Sequence, residues 1–249
     1  MTLLDADGAA RGPGRIILWR HGRTEWNAVG RGQGQLDVPM DDTGRNQALL
    51  AAPYVAALGP DVIISSDLSR AIETAAAVAE LTGLAVREDS RLREMNLGVM
   101  QGLTREESRV QFPEVVAAFE RGEPGAGGRE GPEALMDRAV PAVLEVDADA
   151  LLVVSHGGTI RAVLNALLKV RRDRWRSALG PLGNCRWSEL RRRDDGWQLV
   201  AHNTGPDLVP DDSRATTRDT EPSATQPSVP EPSAAPPAVR PSVPEPSAG

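Results

Sequence analysis

Two apolar runs in this chain end the same way. Ile16-Ile17-Leu18-Trp19 stops at Arg20-His21-Gly22, and Leu151-Leu152-Val153-Val154-Ser155 stops at His156-Gly157-Gly158. An unbroken apolar run of four or five residues reads as a buried strand, the kind that a sheet covered on both faces requires. Ligands of such sheets gather at the carboxyl ends of the strands. The chain has three histidines. Two of them sit at such an end, each followed by glycine, which burial in a core does not account for. The third, His202, is given no role.

The rest of the chain supplies partners for these two strands. Residues 15–19, 61–65, 84–86 and 151–155 read as strands, and 185–190 and 196–201 as two late strands joined through Arg193-Asp194-Asp195. Between them, helices are expected over 43–58, with a bend at Pro53, and from a cap at Ser66 or Asp67 to Gly83. Further helices are expected over 105–120, 132–146 with Pro141 inside, and 157–169. Residues 30–42, 91–104 and 123–131 lack a clean period and read as loops. Alternating strands and helices make this an α/β chain, a three-layer αβα arrangement with a mostly parallel central sheet and helices on both faces.

Three segments follow. Residues 1–14 form a loose leader without an apolar stretch, 15–203 form the domain that holds these strands and helices, and 204–249 form a Pro-, Ser-, Ala- and Glu-rich tail. The tail repeats Pro-Ser-Val-Pro-Glu-Pro-Ser-Ala at 227–234 and 241–248 and is expected to be disordered. The net charge is −7, and seven acidic against three basic residues from 203 onward carry most of it. That balance argues against nucleic-acid binding. No run of about 20 apolar residues suggests a membrane span, and the default location is the cytoplasm. The single cysteine, Cys185, excludes an internal disulfide and reads as a small core residue. No spacing of ligands suggests a metal.

Arginines complete the pattern. Arg20 precedes His21, and Arg70 falls in the first turn of the helix after the second strand. If strands one, two and four are neighbours, Arg20, Arg70, His21 and His156 meet at one rim beside the helix N-terminus at Gly157. Two guanidiniums, two imidazoles and a helix N-terminus suit an anion. A carboxylate would fit, and a dianionic phosphate fits that much positive charge better.

Five stretches in order now carry a resemblance: Leu18-Trp19-Arg20-His21-Gly22-Arg23-Thr24-Glu25-Trp26-Asn27, Gly34-Gln35-Leu36-Asp37 with Thr43-Gly44, Ser65-Ser66-Asp67-Leu68-Ser69-Arg70-Ala71, Arg91-Leu92-Arg93-Glu94-Met95, and Val154-Ser155-His156-Gly157-Gly158. The chain resembles the histidine phosphatase superfamily in its phosphoglycerate-mutase-like branch. The resemblance implies that His21 becomes phosphohistidine, that Arg20, Arg70 and His156 clamp the phosphoryl group, and that Glu94 is the proton donor. It adds Asn27, Gln33 and Gly157 to the substrate-binding set. It implies a metal-independent, cofactor-free phosphatase of a small phosphorylated metabolite, and its dimeric members imply a homodimer.

Glu94 and His156 are 62 positions apart, shorter than the insertion that mutases of this family carry, which favours hydrolysis. The family's usual Trp-Glu-Gly is Met100-Gln101-Gly102 here, which alters the substrate-side wall. A narrower resemblance, through Gly34-Gln35-Leu36-Asp37, Met100-Gln101-Gly102-Leu103-Thr104 and the segment from Leu167 to Trp187, implies glucosyl-3-phosphoglycerate as substrate. The alternatives are a cofactor-dependent phosphoglycerate mutase, an α-ribazole phosphatase, and a catalytically inactive phospho-ligand-binding module. The last requires a missing His21, Arg70 or Glu94, and all three are present.

Overall fold

The computed structural model describes residues 12–121, 123, 125–175 and 177–206. The repeated tail motif lies outside them, as do residues 1–11. Six strands form one sheet: β1 (Arg15–Arg20), β2 (Val62–Ser65), β3 (Val86–Glu88), β4 (Ala150–Ser155), β5 (Trp187–Arg193) and β6 (Gly196–Thr204), in the order β3-β2-β4-β1-β5-β6. β1 to β4 are parallel, and β5 and β6 are an antiparallel hairpin added beside β1. Strands one, two and four are therefore neighbours, with β4 between the other two.

The pleat sends alternate residues to opposite faces. Ile17, Trp19, Ile63, Leu152 and Val154 pack under α2 (Asp42–Ala57) and α3 (Ser69–Thr82). Ile16, Leu18, Ile64, Leu151 and Val153 pack under α6 (Pro132–Leu144) and α7 (Gly157–Leu167). Both faces of the sheet are covered, which is why these strands read as unbroken apolar runs. The three remaining helices are short: α1 (Glu25–Ala28), α4 (Arg105–Gln111) and α5 (Pro113–Glu120).

Several expected boundaries shift for physical reasons. The helix expected over 105–120 is two helices, α4 and α5. Proline at 113 opens the second and disfavours helical backbone at Phe112, whose φ is −135°. α2 continues through Pro53, which is exposed, so the carbonyl that loses its donor faces water. Neither Ser66 nor Asp67 caps α3. The N-cap is Leu68, and Asp37 from the 30–42 loop accepts from the Ser69 N–H at 2.9 Å instead. Gly83 ends α3 in the left-handed conformation at φ 73°. The strand expected at 84–86 begins two residues later. Cys185 lies in a turn at φ 50°, fully buried, and β5 starts at Trp187. Gly12 and Pro13, assigned to the leader, are buried, and Gly14 bonds to Ala148 and Arg192. The packed chain thus begins before Arg15.

Candidate active site

The C-terminal ends of β2, β4 and β1 form one rim. A cleft of about 760 Å³ opens there, and Arg20, His21, Asn27, Gln33, Arg70 and Glu94 all line it. His156 is fully buried behind them, with its ring centroid 5.1 Å from that of His21. Gly157 opens α7, and the position its Cβ would occupy is 3.5 Å from Arg20 Nε.

His21 is 3% exposed. Its Nδ1 lies 2.7 Å from the Gly22 carbonyl. A carbonyl can only accept, so Nδ1 carries the proton and Nε2 is left with its lone pair. Burial, then the positive charges of Arg70 and Arg20, hold the His21 pKa well below its ordinary value. The ring is neutral at neutral pH, with its Nε2 lone pair unprotonated. Its backbone is fixed by an N–H bond to Ser155 and by Asn184 Nδ2, which donates to the His21 carbonyl at 2.9 Å. Gly22 and Gly44 pass so closely that a Cβ on Gly22 would sit 2.4 Å from the Gly44 carbonyl oxygen. The start of α2 therefore presses directly on the loop after His21.

Arg70 is fully buried and has no salt-bridge partner among the described residues. It donates to the carbonyls of Leu36 and Gly34 at 2.9 and 3.0 Å, and its Nε has no partner among the described residues. Burial lowers its pKa to about 10 against the opposing pull of Glu94 and Asp37. A buried cation held only by carbonyls is costly, and an anion entering the cleft offsets that cost. Arg20 donates to the Leu182 carbonyl at 2.6 Å. Asn27 has its Oδ1 taken by Thr24 and Asn184, so its NH₂ is the group left for a ligand. Gln33 is buried with its Oε1 unpartnered among the described residues.

Glu94 accepts from the backbone N–H of Met95 at 2.8 Å, of Gly158 at 3.0 Å and of Thr159 at 3.1 Å. Its carboxylate thus sits on the N-terminus of α7. The other cleft carboxylates, Glu120 and Asp173, lie beside Arg105, Arg109 and Arg171. Among the described residues, Glu94 alone of the three has no arginine in a salt bridge. Its main chain is held by Arg138, whose guanidinium donates to the carbonyls of Arg91, Arg93 and Glu94 at 2.6 to 2.9 Å.

The model of the histidine phosphatase superfamily (branch 1) matches residues 16–205. The chain belongs to that superfamily. A glucosyl-3-phosphoglycerate phosphatase from Mycobacterium tuberculosis is 39% identical over 191 residues, 71% of this chain and 84% of the relative. One from Mycolicibacterium vanbaalenii is 36% identical over 79% of this chain and 97% of its own length. A solved mycobacterial glucosyl-3-phosphoglycerate phosphatase, in complex with VO3, superposes with a TM-score of 0.70. It is 38% identical and covers 77% of this chain and 99% of that one. Among the described residues, no helix is long and apolar enough to cross a membrane.

Some residues of this histidine phosphatase site were not assigned from sequence. Ser66 and Asn184 fall inside quoted motifs, yet nothing in their spacing marks them as partners of His156 and His21. Arg138 and Arg161 sit on helices that show only an apolar period. Gln101, in the altered Met100-Gln101-Gly102 stretch, ties the cleft wall together by accepting from the Gln35 N–H at 2.8 Å.

Proposed function

We propose that this enzyme hydrolyses the phosphate monoester of a carboxylate-bearing sugar acid, glucosyl-3-phosphoglycerate, through a phosphohistidine on His21. Nε2 of His21 attacks phosphorus in line while Arg20 and Arg70 hold the equatorial oxygens. The P–O bond to the substrate breaks with its electron pair on the leaving oxygen, and Glu94, entering this step in its protonated form, gives that oxygen its proton and is left as the carboxylate. Water then attacks the phosphohistidine. Glu94 accepts its proton, inorganic phosphate leaves, and His21 is restored.

The observation that carries the substrate is the breadth of the cleft. At about 760 Å³ it falls within the roughly 300–1,000 Å³ of sites for multi-ring ligands, far more than a phosphate on a three-carbon acid fills. Its outer part holds Arg161 on α7, one helical turn beyond Gly157. The cleft's other arginines have partners: Arg31 with Glu107, Arg105 with Glu120, Arg172 with Glu133, and Arg129 over the Phe119 ring. Arg161 has no ion-pair or hydrogen-bond partner among the described residues, so it is the cation ready for a substrate carboxylate. The two mycobacterial relatives carry the same substrate in their names.

The test is a panel of phosphate esters assayed for both free phosphate and isomerised product. Glucosyl-3-phosphoglycerate should give the highest kcat/KM, releasing phosphate without isomer. Arg161→Ala should raise its KM about tenfold and leave p-nitrophenyl phosphate unchanged. Isomerised 3-phosphoglycerate as the main product, or equal rates on carboxylate-free esters, would overturn the proposal.

A further inference from the structure

Ser66 follows β2 at the rim and is fully buried. Its place is fixed twice through the backbone. The Ser66 N–H donates to Val154 at 2.9 Å, and the Ser65 hydroxyl donates to the Ser66 carbonyl at 2.9 Å. The Ser66 Oγ has two neighbours. It accepts from the Leu68 N–H at 3.3 Å, and it lies 2.8 Å from His156 Nε2.

A serine hydroxyl carries one proton and two lone pairs. Leu68 can only donate, so it takes a lone pair. Among the described residues, the only acceptor paired with this buried hydroxyl is His156 Nε2. A buried O–H left without an acceptor is costly. The hydroxyl therefore donates to Nε2, and His156 Nε2 is the bare nitrogen. The ring is neutral, since burial and then the charge of Arg70 hold its pKa well below the ordinary value. Its one N–H proton must then be on Nδ1. That atom is buried and has no partner among the described residues, on a ring 5.1 Å from His21.

We infer that Ser66 is a positioning residue that fixes His156 in the Nδ1–H tautomer and so keeps a hydrogen-bond donor ready for the transferred phosphoryl group. This rests on the phosphohistidine proposal for its purpose. The tautomer itself rests on the Ser66 geometry alone. With the opposite tautomer, the nitrogen offered to a phosphate oxygen would present a lone pair, which repels it. Ser66 thereby makes a directed donor of a histidine that burial holds neutral at neutral pH.

The experiment uses the full chain with ¹⁵N-labelled histidine and long-range ¹H–¹⁵N spectra, which separate protonated from bare ring nitrogens. His156 should show a protonated Nδ1 and a bare Nε2, and the Nδ1–H resonance should move on adding inorganic phosphate. Ser66→Ala should populate the Nε2–H form and cut kcat on p-nitrophenyl phosphate about 10- to 100-fold. Ser66→Thr, which keeps the hydroxyl, should restore both. A protonated Nε2 in the unaltered protein overturns the inference, even if Ser66→Ala fails to fold. So does a Ser66→Ala variant with unchanged kcat and an unchanged tautomer. Should another residue prove to accept the phosphoryl group, the His156 spectrum would be unaffected, so the two failures are distinguishable.

Discussion

His21 and His156 are near-twins in sequence: each ends a parallel strand, and each is followed by glycine. The fold gives them different work. β1 and β4 lie side by side in register from Arg15 with Ala150 to Arg20 with Ser155, which brings the two rings within van der Waals reach of each other. After His21 the chain enters a loop and turns so that the Gly22 carbonyl meets Nδ1. After His156 the chain enters α7, whose first turn ties the His156 carbonyl to the Ile160 N–H. The His156 ring then finds its partner across the sheet, in Ser66. One histidine has its far nitrogen bare at the cleft; the other is walled in with a fixed proton. In the proposed mechanism the two roles differ by which nitrogen the surroundings occupy, since burial makes both rings neutral.

The largest expected effect separates the twins directly. His21→Ala should lower turnover by roughly 10⁵-fold, because among the described residues no other rim side chain presents a bare ring nitrogen to the cleft. His156→Ala should lower it by roughly 10²- to 10³-fold and still form a phosphoenzyme on His21, stable to an alkaline quench and lost in acid. Trapping labelled phosphate on each variant checks this. A phosphoenzyme in His21→Ala, or equal losses in the two variants, would erase the distinction.

The next effect sharpens the boundary between the His156 helix and Glu94, the proposed proton donor. A Cβ on Gly158 would sit 2.4 Å from Glu94 Oε1. The Glu94 main chain cannot easily retreat, because Gln35 Nε2 and Arg138 both hold its carbonyl. Gly158→Ala should therefore displace the Glu94 carboxylate. Alkyl phosphates, whose leaving oxygen needs a proton, should slow by about 10- to 100-fold, and p-nitrophenyl phosphate should hardly change. The ratio of the two kcat/KM values is the readout, and a proportional loss on both would reject the role of Glu94.

Much of this was legible because it depends on short-range rules. Strands buried on both faces show as unbroken apolar runs, and the Arg20-His21 and His156-Gly157 pairs mark the rim by position alone. The order β2-β4-β1 was a condition in the sequence reading, and the sheet meets it. What could not be read are contacts with no local signature. Asp37 replaces the expected cap of α3 across 32 positions. Arg138 reaches back from α6 to the Glu94 loop. Ser66 looks in sequence like a cap and serves instead as a partner of His156. The break at Phe112–Pro113 was visible as a proline, but the polar character of 105–120 hid it.

The smallest effect tests where the twins are alike. Both histidines have pKa values held well below the ordinary 6.5, in each case by burial first and by Arg70 second. In the unfolded chain they return to that ordinary value. Below about pH 6.5 the unfolded state binds protons that the folded state does not, so ΔG of unfolding falls as pH falls. The stability is complete above pH 6.5 and is lost on the acid side of it. Two such groups give a slope approaching about 2.7 kcal/mol per pH unit. Asp61, Asp67, Asp89 and Glu107 also have lowered values, from ordinary values of 3.8 and 4.5, so their losses begin at more acid pH. The interval from 6.5 to 5 therefore belongs mainly to the histidines. Denaturant unfolding at steps across it should show that slope, and His21→Asn and His156→Asn should each remove about half of it. Equal halving would show that the two rings are interchangeable for stability and differ only in the direction of one proton. Retention of the full slope in either variant would mean that its ring takes up a proton inside the fold.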